Sequence, residues 1–239
     1  MKKAIVLKAP GTNNDYETHH GLIESGAAAE IVHVNELASG KKRLKDYSIL
    51  VIPGGFSYGD DLGAGKVFSI FMKYNLKEDI ENFIKEGRIV LGICNGFQVL
   101  VKSGLLPDID SKNRVTLSFN DSGRFICRWV GLKVNSGKFW FKGMDDEIEL
   151  PIAHAEGKFI TENGSVDVLE NNGQIALTYL ENPNGSEGDI AGITNKEGNV
   201  LGMMPHPDRF FSEYQHPASR NRKIIPWGRL LFRNMVENA

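Results

Sequence analysis

The stretch Arg88-Ile89-Val90-Leu91-Gly92-Ile93-Cys94-Asn95-Gly96-Phe97-Gln98 decides the fold. Arg88 to Ile93 is a short apolar run without polar alternation, the pattern of a strand buried on both faces of a parallel sheet. Phe97 to Lys102 begins a helix that Gly104 stops. A buried strand running straight into a helix is the repeating unit of a doubly wound α/β domain.

The same rhythm extends toward the N-terminus. Ala4-Ile5-Val6-Leu7 reads as a strand, and Gly11-Thr12-Asn13-Asn14-Asp15 as a loop with helix-capping residues. A helix follows to about Ser25, with Gly26 as its stop. Glu30 to Val34 and Ser48 to Ile52 read as strands, the latter ended by Pro53-Gly54-Gly55. Leu76 to Lys85 reads as a helix with Gly87 just past its end. The expected fold is α/β, a mostly parallel sheet with helices on both faces. Toward the C-terminus, Arg124 to Val134, Lys138 to Phe141, Gln174 to Tyr179, Ile190 to Thr194 and Val200 to Met204 read as strands. Asn163-Gly164, Asn172-Gly173, Asn184-Gly185 and Gly198-Asn199 punctuate them as turns. This half is expected to complete the sheet and add a β-rich layer. No repeat or linker divides the chain, so residues 1–239 read as a single domain.

The bulk numbers exclude several function classes. The chain of 239 residues carries 28 basic and 30 acidic side chains, without the clustered basic excess of a nucleic-acid footprint. Lys41-Lys42-Arg43 reads as a solvated turn. No apolar stretch approaches the roughly 18 residues of a membrane span, and Ala4 to Leu7 is too short for a signal h-region. The expected location is the cytoplasm, where the two cysteines stay reduced. No Cys or His pair has metal-ligand spacing. Asp60-Asp61 is an acidic pair without the glycine-rich phosphate loop that would accompany a nucleotide, so neither a metal nor a cofactor is expected in this chain.

Gly92-Ile93-Cys94-Asn95-Gly96 has the small-x-nucleophile-x-small spacing of a nucleophile elbow, with Cys in place of Ser. Such a turn strains the nucleophile's backbone, so its close neighbours must lack side chains. It also places the thiol at a helix N-terminus, where the dipole favours a thiolate, and aims the Asn95 N–H at a developing oxyanion. Cys127, in Phe125-Ile126-Cys127-Arg128-Trp129, lacks such glycines and reads as structural. A Cys nucleophile needs a base oriented by a third group. His206, in Met203-Met204-Pro205-His206-Pro207-Asp208-Arg209, has Asp208 two residues on. His154, in Pro151-Ile152-Ala153-His154-Ala155-Glu156-Gly157, has Glu156 at the same spacing. Spacing does not choose between them. His19, His20, His33 and His216 read as structural or solvent-facing.

These segments resemble those of the class I (triad-type) glutamine amidotransferases. The run Pro53-Gly54-Gly55-Phe56-Ser57-Tyr58-Gly59-Asp60, the Cys94 and His154 segments, Asn182-Pro183-Asn184-Gly185-Ser186 and Gly202-Met203-Met204-Pro205-His206-Pro207 occur in the family's order and span most of the chain. The Phe-Ser-Tyr-Gly-Asp and Asn-Pro-Asn-Gly-Ser runs narrow the resemblance to the glutaminase subunits of phosphoribosylformylglycinamidine synthases. The resemblance implies a flavodoxin-like amidotransferase fold and a glutaminase with Cys94 as nucleophile, His206 as base and Asp208 as its orienting group. Gly55 and Asn95 would supply the oxyanion-hole N–H groups, and Gly54, Phe56 and Gln98 would help hold glutamine. It also implies a large synthetase subunit that binds ATP and Mg²⁺ and uses the ammonia to convert formylglycinamide ribonucleotide to its amidine. A small bridging subunit would join them.

Three departures from the family pattern stand out. Asp208 replaces the usual Glu, and its shorter arm predicts a shift of about an ångström in the imidazole, a displacement that can cost on the order of 10²-fold in rate. Ala155 replaces the usual Gly. The tail Pro226-Trp227-Gly228-Arg229-Leu230-Leu231-Phe232 is closer to the fused, long form of the synthase. Asp208 is what keeps open the alternative of a catalytically weakened regulatory or binding subunit of the same complex. A stand-alone cysteine hydrolase is the third reading.

Overall fold

The computed structural model describes residues 1–109, 111, 114–162 and 166–239. In the N-terminal half, β1 (Lys3–Lys8), α1 (Asp15–Glu24), β2 (Ala28–His33), α2 (Val34–Ala38), β3 (Ile49–Ile52), α3 (Lys66–Asn75), α4 (Lys77–Lys85), β4 (Ile89–Ile93) and α5 (Asn95–Ser103) alternate as the sequence rhythm requires. β5 (Val115–Ser118), β6 (Ile126–Val134), β7 (Glu147–His154), β8 (Lys158–Thr161), α6 (Val166–Asn171), β9 (Ile175–Tyr179), β10 (Ile190–Thr194), β11 (Val200–Met203) and α7 (Trp227–Glu237) follow.

Nine strands form one sheet in the order β2-β1-β3-β4-β11-β10-β9-β6-β7. The first five run parallel, and the last four alternate antiparallel. Every residue of β3, β4 and β11 is buried, which is why these strands read as unbroken apolar runs. β1 connects outward to β2, whereas β3 connects in the opposite direction to β4. With right-handed crossovers, this reversal puts the connecting helices on opposite faces. Accordingly α1 packs with α7, while α3 packs with α4 and α5. The reversal also opens a crevice between the carboxyl ends of β1 and β3, the place where ligands bind in such sheets. The loops after these two strands meet there. Thr12 bridges Gly55, Asn14 N donates to Gly54 O at 3.3 Å, and Phe56 N donates to Gly11 O at 3.1 Å.

The second half both prolongs the sheet and adds a layer. β5 and β8 form a separate two-stranded sheet, with β5 packed on α5. Phe159 of β8 stacks on Phe97 of α5 at 6.3 Å. Lys138 to Phe141 is not a strand. Lys138 takes φ 48° after Gly137 at φ 129°, and the segment folds into turns. They bury Trp140, whose Nε1 donates to Gly198 O at 2.9 Å. The glycines of Asn172-Gly173, Asn184-Gly185 and Gly198-Asn199 have φ of 67°, 83° and 75°, as their turns require. Asn163-Gly164 lies outside the described residues. Helix α3, absent from the sequence reading, buries Phe68, Ser69 and Met72, a one-sided stripe of helical spacing.

Candidate active site

Cys94 joins β4 to α5 with φ 50° and ψ −103°. A non-glycine residue at positive φ is strained, and it persists only where its surroundings over-determine it. Here Cys94 N donates to Met203 O at 2.7 Å, and Cys94 O receives Gln98 N at 3.1 Å. The flanking glycines are required by close approach. A Cβ on Gly96 would stand 1.9 Å from Ile52 O, and one on Gly92 would stand 2.7 Å from Gly96 O. The thiol is almost fully buried, and Sγ lies 3.6 Å from Ala153 O.

β11 delivers the second group. It lies beside β4 in the sheet, so residues just past its end arrive next to Cys94. His206 is 1% exposed, and its backbone N is pinned to Pro151 O of the edge strand β7 at 2.8 Å. The ring fits because Gly54 has no side chain. A Cβ there would stand 2.7 Å from His206 Cε1. Nδ1 donates to Asp208 Oδ1 at 3.2 Å. The short turn Pro207–Arg209 presents the shorter Asp side chain within hydrogen-bond distance of the ring. Nε2, on the other side, has no ordinary hydrogen-bond partner among the described residues, and the Cys94 sulfur acts on the ring electrostatically. Burial disfavours the imidazolium, but the Asp208 carboxylate and the Cys94 sulfur overcome it and raise His206 to about 9.

The rival pair separates. His154 is also buried, but Glu156 does not touch it. The Glu156 carboxylate accepts Ala64 N at 3.1 Å and pairs with Lys102 Nζ at 3.5 Å. His154 Nδ1 meets Asn120 Oδ1 at 3.1 Å. Asn120 Nδ2 donates to Arg124 O and His154 O, both at 2.9 Å, which fixes the amide's orientation. His154 Nδ1 therefore carries the proton. Burial, then the charge of His206, depresses His154 to about 4. At neutral pH His154 therefore stays neutral and takes up a proton poorly, whereas Asp208 and Cys94 favour a proton on His206. The other four histidines are structural or, like His20, solvent-facing. His33 caps α2 by accepting Asn35 N, His19 meets Ala29 O, His20 lies against Phe211 and His216 packs on Trp129 at 4.3 Å.

Cys94 and His206 line one cavity of about 140 Å³, together with Gly55, Phe56, Asn14 and Arg209. Gln98 and Gly54 do not line it. Gln98 Nε2 donates to Glu156 O at 2.5 Å, and its Oε1 receives Asn95 Nδ2 at 3.0 Å. Its amide is thus engaged inside the protein, and its place is behind the elbow. Asn95 begins α5, and its Oδ1 receives Ser57 N at 3.3 Å. This contact ties the elbow to the loop after β3. Gly55 has φ 138°, and a Cβ there would stand 2.6 Å from Asn13 N. Cys127, read as structural, is exposed and lines the same cavity.

Two residues of the site were not singled out from sequence. Asn14 reads as a helix cap, yet its side chain makes no capping bond. Its Nδ2 donates to Asp208 Oδ2 at 3.0 Å, and its Oδ1 receives Arg209 Nη2 at 3.1 Å. Arg209 directly follows Asp208, and that adjacency was the only signal for it. Among the described residues no cluster of three or more His, Cys, Asp or Glu could hold a metal ion, and no helix is long and apolar enough to cross a membrane.

A strand-end cysteine elbow beside a His-Asp pair on the neighbouring strand is the layout of the triad-type glutamine amidotransferases. The chain belongs to the CobB/CobQ-like glutamine amidotransferase domain family, whose pattern matches residues 1–238. Two relatives carry the name phosphoribosylformylglycinamidine synthase subunit PurQ. The protein of Treponema denticola is 45% identical, with 86% of this chain and 87% of that protein aligned. The protein of Methanococcus maripaludis strain C7 is 41% identical, with 95% and 92% aligned. A chain in the structure of PurLQS from Thermotoga maritima superimposes with TM-score 0.80 at 32% identity, over 99% of each chain.

Proposed function

We propose that this chain is the glutaminase subunit of a phosphoribosylformylglycinamidine synthase and acts in purine biosynthesis. It releases ammonia from glutamine through a Cys94 thioester. The observation that carries the mechanism is the strained Cys94 elbow facing a buried imidazole that Asp208 orients. The thiol proton passes to His206 Nε2, and the thiolate attacks the side-chain amide carbon. The oxyanion is held by the N–H groups of Gly55 and Asn95. His206 returns the proton to the amide nitrogen, and ammonia leaves as the thioester forms. Water then attacks the thioester and gives a proton to His206. Glutamate departs and the thiol is restored.

The names of the relatives support assembly with a synthetase, here a large subunit joined through a small bridging one. ATP and Mg²⁺ would act on the large subunit, and this chain would need no cofactor of its own. The sheet running unbroken from β2 to β7 supports residues 1–239 as one domain, and the role supports a cytoplasmic location. The 3.2 Å contact between His206 and Asp208 favours an active glutaminase over the weakened-subunit alternative.

The test is Cys94→Ala in the assembled enzyme. Glutamine-dependent amidine synthesis is expected to fall on the order of 10⁶-fold, while synthesis from added ammonia is retained. Loss of both activities would overturn the assignment of Cys94 to glutamine hydrolysis.

A further inference from the structure

Arg209 lines the cavity that holds Cys94, and it is the one Arg or Lys among the described lining residues. Its Nη2 donates to Asn14 Oδ1, and no carboxylate among the described residues lies within ion-pair distance of it. Among the described residues no other acceptor engages the planar fork. The cavity walls offer apolar surface from Phe56 and Phe125, the thiol, the imidazole and this guanidinium, and no acidic side chain. Attack on an amide carbonyl needs the thiol, a base and oxyanion donors, none of which is a permanent cation. A guanidinium with free donors matches a planar carboxylate, which it can bind through two parallel hydrogen bonds.

Dimensions agree with this match. In an amino acid with a side-chain amide like that of glutamine, four bonds of about 1.5 Å separate the amide carbon from the α-carboxylate carbon, or about 5 Å in extended form. A sphere of 140 Å³ is about 6 Å across. A molecule of this length is therefore of the same size as the cavity, whose walls hold both Cys94 and Arg209.

We infer that Arg209 receives the α-carboxylate of the substrate and so selects an amino-acid amide over amides that lack this charge. The inference rests on the glutaminase reading above. Asn14 makes the arrangement more than a lone cation. The same side chain holds Asp208 by its Nδ2 and Arg209 by its Oδ1. The group that orients the base and the group that receives the substrate's charge thus share one anchor, and this fixes the distance between them.

The experiment is steady-state hydrolysis of L-glutamine and of its α-carboxamide by the assembled enzyme, as wild type, Arg209→Met and Arg209→Lys. Arg209→Met is expected to lower kcat/KM for glutamine on the order of 10²-fold, chiefly through KM, as for truncation of a paired charge. Its effect on the α-carboxamide is expected to stay within about threefold, because that substrate presents no charge to lose. Arg209→Lys keeps the charge without the fork and falls between. Equal losses for both substrates in both variants would overturn the inference, leaving Arg209 as a support for Asn14. A wild-type enzyme that hydrolyses neither substrate would instead overturn the glutaminase reading, so the two failures are distinguishable.

Discussion

Asn14 and Asp208, 194 positions apart in the chain, meet in a buried hydrogen bond of 3.0 Å. The bond joins the loop after β1 to the turn after β11 and so closes the site from two distant parts of the sheet. A buried hydrogen bond to a charged acceptor contributes about 1.5–3 kcal/mol. Asn14→Ala is expected to destabilise the protein by about that amount, as measured by urea unfolding. It should also lower kcat for glutamine about tenfold or more by loosening Asp208. Unchanged kcat would mean that Asp208 holds His206 without help from Asn14.

The pH profile tests the triad directly. His206 is raised to about 9 by Asp208 and Cys94 against the opposing effect of burial. Its imidazolium, the acid that protonates departing ammonia, is then lost only as pH climbs through that region. The alkaline limb of kcat/KM should fall near pH 9. Asp208→Asn removes a group that favours the charged ring, so the limb should move to lower pH while activity declines. A limb that stays in place in this variant would remove Asp208 from the account.

Stability should respond to pH through two histidines of opposite sign. His206 is raised above its unfolded value of 6.5, so its stabilisation is complete below pH 6.5 and fades as pH rises toward 9. His154 is depressed from 6.5 to about 4, so the unfolded chain takes up a proton that the folded one refuses. Stability therefore falls as pH drops from 6.5 toward 4, with a slope of up to about 1.4 kcal/mol per pH unit. From these two groups the maximum lies near pH 6.5. Denaturant titrations across pH 4.5–9 on wild type and His154→Gln should show the acid-side slope flattened in the variant and the alkaline side retained.

Gly96→Ala tests the elbow. Its new methyl would stand 1.9 Å from Ile52 O, a backbone atom of a fully buried strand. Neither side can yield cheaply. A stability loss of about 3 kcal/mol or more is expected, with activity reduced at least about 10²-fold as Cys94 is displaced. Thermal unfolding and glutaminase kinetics together check this. A variant of normal stability and activity would show that the turn does not need a bare backbone there.

The parallel strands, the elbow and the two candidate histidine motifs were legible because each is written locally. Burial on both faces makes β3 and β4 uniformly apolar, and a strained strand-to-helix turn demands small neighbours within two residues of the nucleophile. Helix α3 was harder to read, because it starts after Gly65 without a side-chain cap and nothing local marks its beginning. Lys138 to Phe141 misled because an aromatic run reads as a strand, whereas the positive φ of Lys138 follows from burying Trp140.

The sequence by itself determined the elbow around Cys94, since it depends on residues adjacent in the chain. The choice of base did not follow from spacing, since His154 and His206 each have an acid two positions on. The resemblance pointed to His206, and the tertiary structure supplied the physical reason, turning Glu156 toward Lys102 and Ala64 N and leaving Asp208 on the ring of His206. It also converted Asn14 from a helix cap into the anchor of Asp208 and Arg209. The physical reason is that a buried charge must find partners wherever the sheet brings them, and the partners of Asp208 come from both ends of the chain.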